Sequence, residues 1–303
     1  MRRSSLLRPP AARQGPGPMP SRLVDELDTP MARRASGALP GDRRAAGLGA
    51  GTELAQMRPY EPGDDVRHID AAATARTGEP YVKLHVPERT LTTWLVVDVS
   101  PSMAFGTAAR LKSDVAEGVA IVMSRLAVRR AGRVALLTFG SGESRLLRPR
   151  ASRPGVMAVR RALEHGVAPD GRTEPDALAT ALNHIRKVAA QPGLVVVVSD
   201  FRDQEDWTRP LGALTMRHSV VAVEVRDPRE STVPAVGRLA LVDPETGQRV
   251  EVDTSRRAVR ERFATIEGER RAAVAEAMRR MRVEHVVLST ADDWLRELGR
   301  RMH

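Results

Sequence analysis

Two strings in this 303-residue chain end apolar runs in oxygen-bearing side chains. The first, LVVDVSPSM, carries Asp98, Ser100 and Ser102 at alternate positions. Alternate side chains of an extended segment fall on one side, so these three oxygens can face one point. The second, LVVVVSDF, carries Asp200 just beyond its own apolar run. Two carboxylates and two hydroxyls, with no His or Cys among them, form a hard, all-oxygen set. Such a set suits Mg²⁺, and also Mn²⁺ or Ca²⁺, rather than zinc or copper. With only two carboxylates, a divalent ion stays underneutralised and keeps a position free for an outside oxygen. Thr173, in DGRTEPDAL ahead of a helical pattern, is a fifth candidate. Each residue also has a purely structural reading. Asp98 can be a buried acid capping the next helix, Ser102 a helix N-cap and Asp200 the start of a turn. Thr173 with Asp176 can be a capping box.

The elements that must position these residues alternate strand and helix from Trp94 onward. Leu95 to Val99, Val134 to Phe139, Leu194 to Asp200 and Ser219 to Val225 are runs of the kind buried on both faces of a parallel sheet. RLLRP after the SGES turn reads as an antiparallel edge strand, and His285 to Thr290 as a sixth strand. Helical spacing predicts helices over Thr107 to Arg130, stopped by Gly132, then Val156 to Leu163, Glu174 to Ala190, Trp207 to Arg217 and Asp292 to Arg300. Between the fifth and sixth strands, LALVDPETGQRVEV predicts a hairpin turning near Pro244 to Gly247. Ser255 then caps a long helix to about Met281, with Val259, Phe263, Ile266, Val274 and Met278 inward. This rhythm predicts a mostly parallel sheet covered on both faces, with ligands at the carboxyl ends of its strands.

Composition narrows the function classes. With no Cys in the chain, disulfide scaffolds, zinc–thiolate and iron–sulfur sites and Cys nucleophiles are excluded, which fits a cytoplasmic setting. No apolar run approaches the roughly 20 residues of a membrane span, and none follows Arg2 and Arg3 to make a secretory leader. The net charge is +10, almost all of it from Arg, since Lys83, Lys112 and Lys187 are the only lysines. Half of that excess sits in the first 52 residues, which hold nine Arg against four acids, with seven Pro and seven Gly. That stretch is expected to be mostly disordered, with one short helix at Ser21 to Leu27 capped by Ser21. Its GLGAG at Gly47 to Gly51 follows no strand and reads as linker. The remaining Arg are dispersed among acids, and aromatics are only 3%, which speaks against stacking on nucleic acid.

Taken together, DVSPS, GRT and VVSD resemble the metal-ion-dependent adhesion site of the von Willebrand factor type A fold. The resemblance covers roughly Trp94 to Arg300. It implies a doubly wound six-stranded sheet of order 3-2-1-4-5-6 with the third strand antiparallel. It also implies that Asp98, Ser100, Ser102, Thr173 and Asp200 surround Mg²⁺, with Mn²⁺ or Ca²⁺ as substitutes. A partner protein's Asp or Glu carboxylate would take the open position. A second block, MRPYEPGDDVRHIDAAATARTGEPYVK (57–83), resembles the signature of bacterial domain-of-unknown-function family 58. It keeps Arg58, Tyr60, Gly63, Asp64, Asp65, Arg67, Ile69, Asp70, Ala75 and Arg76, and carries Ala71 where that family has Trp. The expected organisation is therefore a tail over 1–52, the signature segment over 53–91 and a von Willebrand factor A-like domain over 92–303, with the hairpin and long helix inserted at about 230–282. Within the signature, Gly63 is expected to make a turn, and Asp64, Asp65 and Arg67 to pair locally or with Arg76. A contact surface for a partner is the functional alternative.

The family resemblance implies a non-catalytic adaptor that works with a MoxR-type AAA+ ATPase in assembling or remodelling protein complexes. Two other classes compete. A metal-dependent phosphatase or nuclease would use Asp98 as nucleophile or ligand, but the chain offers no D-x-D there, no P-loop, no HExxH and no GxSxG. A nucleic-acid binder would act through the Arg-rich tail and show steep salt dependence that survives metal removal.

Overall fold

The computed structural model describes residues 14–37, 53–86, 91–142, 144–169, 176–203 and 206–302, which form two compact units. Of these, residues 14–37 and those from 91 onward belong to the larger, and residues 53–86 to the smaller. The Gly47 to Gly51 linker lies outside the described residues.

In the larger unit the chain enters through helices α1 (Ser21–Glu26) and α2 (Asp28–Gly37). Val24, Leu27 and Met31 are buried in the main core. Asp25 pairs with Arg129, and Asp28 with Arg130 at 3.0 Å. Ahead of them the Pro16 carbonyl accepts the Trp294 indole N–H at 3.0 Å, and Gly15 N–H donates to Asp114 at 2.9 Å. Residues 14–37 are thus a packed strap: the short helix expected at Ser21 to Leu27 is present as α1, and α2 extends it. Three apolar residues at helical spacing are enough to anchor it. Pro20 occupies the N-cap position of α1, so Ser21 is its first helical residue and not its cap.

The smaller unit is a two-stranded antiparallel ribbon, β1 (Glu53–Pro59) with β2 (Tyr81–Val86), joined through helix α3 (Ala71–Thr77). Gly63 turns the chain with φ +110°, a conformation that favours glycine. Arg58 holds Asp64 at 2.7 Å, and Asp65 pairs with Arg67 and also caps a short 3₁₀ turn. Asp70 caps α3 by accepting Ala73 N–H at 2.6 Å and pairs with Lys83. Most of the signature's charges therefore fix local turns. Arg76 bonds the Ala72 carbonyl rather than any of the acids.

From residue 92 the alternation runs as β3 (Thr92–Asp98), α4 (Lys112–Arg129), β4 (Arg133–Phe139), β5 (Leu146–Ala151), α5 (Ser152–Leu163), α6 (Ala177–Val188), β6 (Leu194–Ser199), α7 (Thr208–Thr215) and β7 (Ser219–Arg226). Then come the hairpin β8 (Arg238–Val242) and β9 (Arg249–Asp253), the long α8 (Arg257–Arg280), β10 (Glu284–Ser289) and α9 (Trp294–Met302). Six strands form one sheet in the order β10-β7-β6-β3-β4-β5. Counted along the chain, this is the expected 3-2-1-4-5-6. All pairs are parallel except β4 with β5.

The central strands are apolar throughout because both faces are covered. Leu95, Val97 and Val196 face a core with α4, α5 and α9, while Trp94, Val96 and Val195 face a second core with α6, α7 and α8. The strand period of two thus splits one apolar run between two cores. Gly132 follows α4, where a Cβ would come within 2.8 Å of the Ala127 and Leu91 carbonyl oxygens.

Three local expectations are corrected. Helix α4 starts at Lys112 and not Thr107, because the Thr107 N–H and hydroxyl are taken by Asp227 at 2.8 and 2.5 Å. Ser255 bonds Asp253 and caps nothing; Arg256 holds the N-cap position of α8. On that helix Ile266 is exposed, and Glu267 turns inward. Apolar spacing points Ile266 inward, but a carboxylate matched by Arg202, Arg270 and Arg271 takes the buried place.

Candidate functional site

The carboxyl ends of β3 and β6, neighbours in the sheet, bring Asp98, Ser100, Ser102 and Asp200 together. Asp98 ends β3. Its Oδ1 accepts the Ser100 N–H at 2.8 Å, and its Oδ2 accepts the Ser199 hydroxyl at 2.6 Å. Asp98 thereby pins the turn into a short 3₁₀ helix, Pro101–Ala104. Ser102 lies inside that helix and does not cap it. Its hydroxyl oxygen sits 3.0 Å from that of Ser100, and both side chains are buried. Gly140, after β4, closes one side. Its φ is +83°, and a Cβ there would stand 2.6 Å from Ser100 Cβ and 3.0 Å from Asp98 Oδ1. Thr173 lies outside the described residues.

Asp200 is held from behind. Its Oδ2 accepts Lys112 Nζ at 2.6 Å, and the same ammonium reaches Glu230 Oε1 at 2.6 Å. Its Oδ1 accepts the Arg202 N–H at 3.2 Å. The chain leaves β6 through Phe201, whose φ of +52° is unusual for a residue with a side chain. That strained turn is fixed on three sides. Phe201 N–H donates to the Ser199 hydroxyl at 3.0 Å, Arg270 donates to the Phe201 carbonyl at 3.3 Å, and the ring packs on Trp207 with centroids 5.2 Å apart. Strain of this kind persists where surrounding structure over-determines it. Here it sets the aim of Asp200.

The electrostatics separate the two acids. Burial first, and repulsion from Asp200 second, push the Asp98 carboxyl up to about 8, against hydrogen bonds from Ser100 and Ser199. Burial acts the same way on Asp200, but Lys112, Arg202 and the Ser102 hydroxyl outweigh it and hold that carboxyl below its ordinary value. Nearby, burial raises Asp203 to about 6. The Leu178 N–H opposes this, while the charges of Asp200, Glu245 and Asp176 add to it. Glu245 arrives from the turn between β8 and β9, and its Oε1 accepts the Ser102 N–H at 3.3 Å. Its Oε2 is buried without a hydrogen-bond partner.

Among the described residues no three His, Cys, Asp or Glu side chains form a metal-holding group. The donor set consists instead of two hydroxyls and two carboxylates. Its charge balance fits a divalent cation. One carboxyl is driven toward its neutral form by burial and by its neighbour Asp200, a third acid has a buried oxygen with no donor, and Lys112 is already shared between Asp200 and Glu230. A cation among the serine hydroxyls would supply the missing positive charge. Spacing did not reveal Lys112, Glu230, Ser199, Gly140 or Glu245. The available signals were faint: a rare Lys in an Arg-dominated chain, and a Gly following a strand.

The family model described as "Protein of unknown function DUF58" matches residues 56–273, most of the chain. The chain belongs to this family. Both the signature residues 57–83 and the strand-end site fall within the matched DUF58 region. The chain is 34% identical over 308 residues to the uncharacterized protein Rv1480 of Mycobacterium tuberculosis, covering 98% of this chain and 93% of that protein. It is 38% identical over 123 residues to the uncharacterized protein MAV169 of Mycobacterium avium, covering 41% and 72%. Among solved structures it is similar to BatB from Bacteroides thetaiotaomicron, with 14% identity, a TM-score of 0.42 and coverage of 70% and 97%. It is also similar to a von Willebrand factor type A protein from Catenulispora acidiphila, with 15% identity, a TM-score of 0.40 and coverage of 70% and 41%. Among the described residues no helix is long and apolar enough to cross a membrane.

Proposed function

We propose that this DUF58 chain is a non-catalytic protein-binding adaptor. Its strand-end site holds Mg²⁺, or Mn²⁺ or Ca²⁺ in its place, and through it grips an Asp or Glu carboxylate of a partner. Ser100 and Ser102 would hold the ion with their hydroxyls. Asp98 and Asp200 would balance its charge, and Thr173 is the fifth candidate ligand. The observation that carries this reading is the pair of buried serine hydroxyls 3.0 Å apart between two buried acids. Neutral hydroxyl ligands leave a divalent ion electrophilic, so an external carboxylate gains from binding it. The bond contributes orientation and cation dependence, and the surrounding surface contributes most of the affinity. The partner suggested by the family resemblance is a MoxR-type AAA+ ATPase, with the encounter in the cytoplasm and the work supplied by ATP.

A binding role fits the site better than a phosphatase or nuclease role. The nearby lysine, Lys112, is fully buried and shared by two carboxylates at 2.6 Å, so its charge is committed inside the protein. The test is pull-down of the candidate ATPase with the parent chain in Mg²⁺ or in EDTA, alongside Asp98→Ala and the milder Ser100→Ala. Binding is expected in Mg²⁺ and lost in EDTA and in both variants. Retention under all conditions overturns the proposal.

A further inference from the structure

The hairpin β8–β9 contributes no residue to either hydrophobic core, yet its turn is built in detail. The Asp243 carboxylate accepts Glu245 N–H at 2.9 Å and the Thr246 hydroxyl at 2.8 Å. The Asp243 carbonyl accepts Gly247 N–H at 2.8 Å, and Asp243 N–H donates to the Gln248 carbonyl at 2.9 Å. Gly247, at φ +70°, completes the turn. All this organisation presents one side chain, Glu245, to the serine loop 143 residues away in sequence. One carboxylate oxygen is tied there to Ser102 N–H, and the other is buried with no donor. A carboxylate held against the serine loop with one oxygen buried and unbonded is unfavourable unless a positive charge faces it, and Lys112 is already committed to Asp200 and Glu230. The hairpin itself is mostly exposed and stands over an apolar pocket of about 480 Å³. Leu239, Leu241 and Pro244 of the hairpin line it together with Phe105 and Phe263. Withdrawing the turn therefore breaks neither the six-stranded sheet nor a core, and such weakly buried segments open at low free-energy cost.

We propose that Glu245 is the chain's own occupant of the cation's outward face, so that the β8–β9 hairpin keeps the site capped until a partner's carboxylate replaces it. This rests on the cation-dependent reading above and deepens it. The capped state excludes weak or adventitious carboxylates, because a competitor must displace a ligand tethered at high effective concentration. A partner that also packs against the hairpin has the advantage.

Mn²⁺ serves as the probe, with the full chain. Its Kd is measured by titration, its exchangeable inner-sphere waters by electron spin-echo spectroscopy in ¹⁷O-water, and hairpin protection by hydrogen exchange. Glu245→Ala is expected to add one exchangeable water to bound Mn²⁺ and to weaken its Kd about tenfold, since ligand charge tunes affinity. In the parent chain Mn²⁺ should increase protection of the amides of Asp243 and of residues 245–248, and in the variant it should not. Glu245 lies outside both cores, so the variant is expected to fold, and Glu245→Gln gives a second, near-isosteric arm. If Asp98→Ala abolishes Mn²⁺ binding while both Glu245 variants leave water count, Kd and protection unchanged, the capping inference fails and the cation site stands. If the parent binds no Mn²⁺, both fall.

Discussion

Lys112 offers a direct measure of how the site is supported. Its side chain has no solvent exposure, and its ammonium lies 2.6 Å from both Asp200 Oδ2 and Glu230 Oε1. Burial lowers its pKa, but the two carboxylates outweigh burial and raise it. Lys112→Met removes the charge and keeps most of the volume, so the packing loss is small and the electrostatic loss dominates. Breaking a buried pair from one side typically costs about 3–5 kcal/mol. The orphaned acids retain some compensation. Arg202 Nε stays 3.5 Å from Glu230, Asp227 N–H donates to Glu230 at 3.0 Å, and Arg202 N–H donates to Asp200. The expected loss therefore lies near the lower end, about 3 kcal/mol. Urea unfolding followed by tryptophan fluorescence reads it, since Trp94, Trp207 and Trp294 are all buried in the larger unit. A double-mutant cycle with Glu230→Gln identifies the cause. If the cost is an unpaired carboxylate, Lys112→Met should cost about 1–2 kcal/mol less in the Glu230→Gln background. A single variant within about 1 kcal/mol of the parent, or strictly additive effects, would refute the reasoning.

Two further outcomes test neighbouring features. Gly140→Ala forces a side chain into a left-handed backbone, at a cost of about 1–2 kcal/mol, and drives its Cβ to within 2.6 Å of Ser100; Mn²⁺ affinity should fall while the circular dichroism of the sheet is kept. His218 is buried, with Nδ1 lacking a partner, and burial first and Arg217 second lower its pKa. A lowered folded-state pKa gives stability that is present above the unfolded value of about 6.5 and is lost as pH falls below it. Over about pH 7.5 to 5.5 the raised carboxyls of Asp98 and Asp203 act in the opposite sense, so the ring's share is read as a difference: the urea midpoint of His218→Leu should rise relative to the parent's as pH falls through this range.

The framework was legible because it rests on local periodicity. Continuous valine runs announced strands buried on both faces, and strand–helix alternation fixed a parallel sheet with few allowed topologies. Errors came where polar groups override periodicity. Thr107 was assigned to a helix because nothing near it signals that Asp227, 120 residues away, takes its N–H and hydroxyl. Ile266 and Glu267 exchanged places because the inward acid has three arginines waiting for it. In the strap at residues 14–37 the sequence announces the first helix but not α2 or the docking, because composition averages over a window, whereas Val24, Leu27 and Met31 anchor it by position.

The site was legible only in part, for a related reason. Asp98, Ser100 and Ser102 lie within five residues, so strand geometry alone converges them, and Asp200 follows from the pairing of β3 with β6. What completes the site comes from far along the chain: Lys112, Glu230 and Glu245 lie on a helix, a short turn and a hairpin that share no motif. Their convergence is a matter of charge. Asp200 and Glu230 are tolerable in the interior because Lys112 lies between them. Asp98 and Glu245 have no such partner, so the deficit lies on the serine side and not the lysine side. A cation bound there would complete a row of alternating charges from Glu230 through Lys112 and Asp200 to the serine loop. Its affinity should therefore depend on Lys112, which would touch it nowhere.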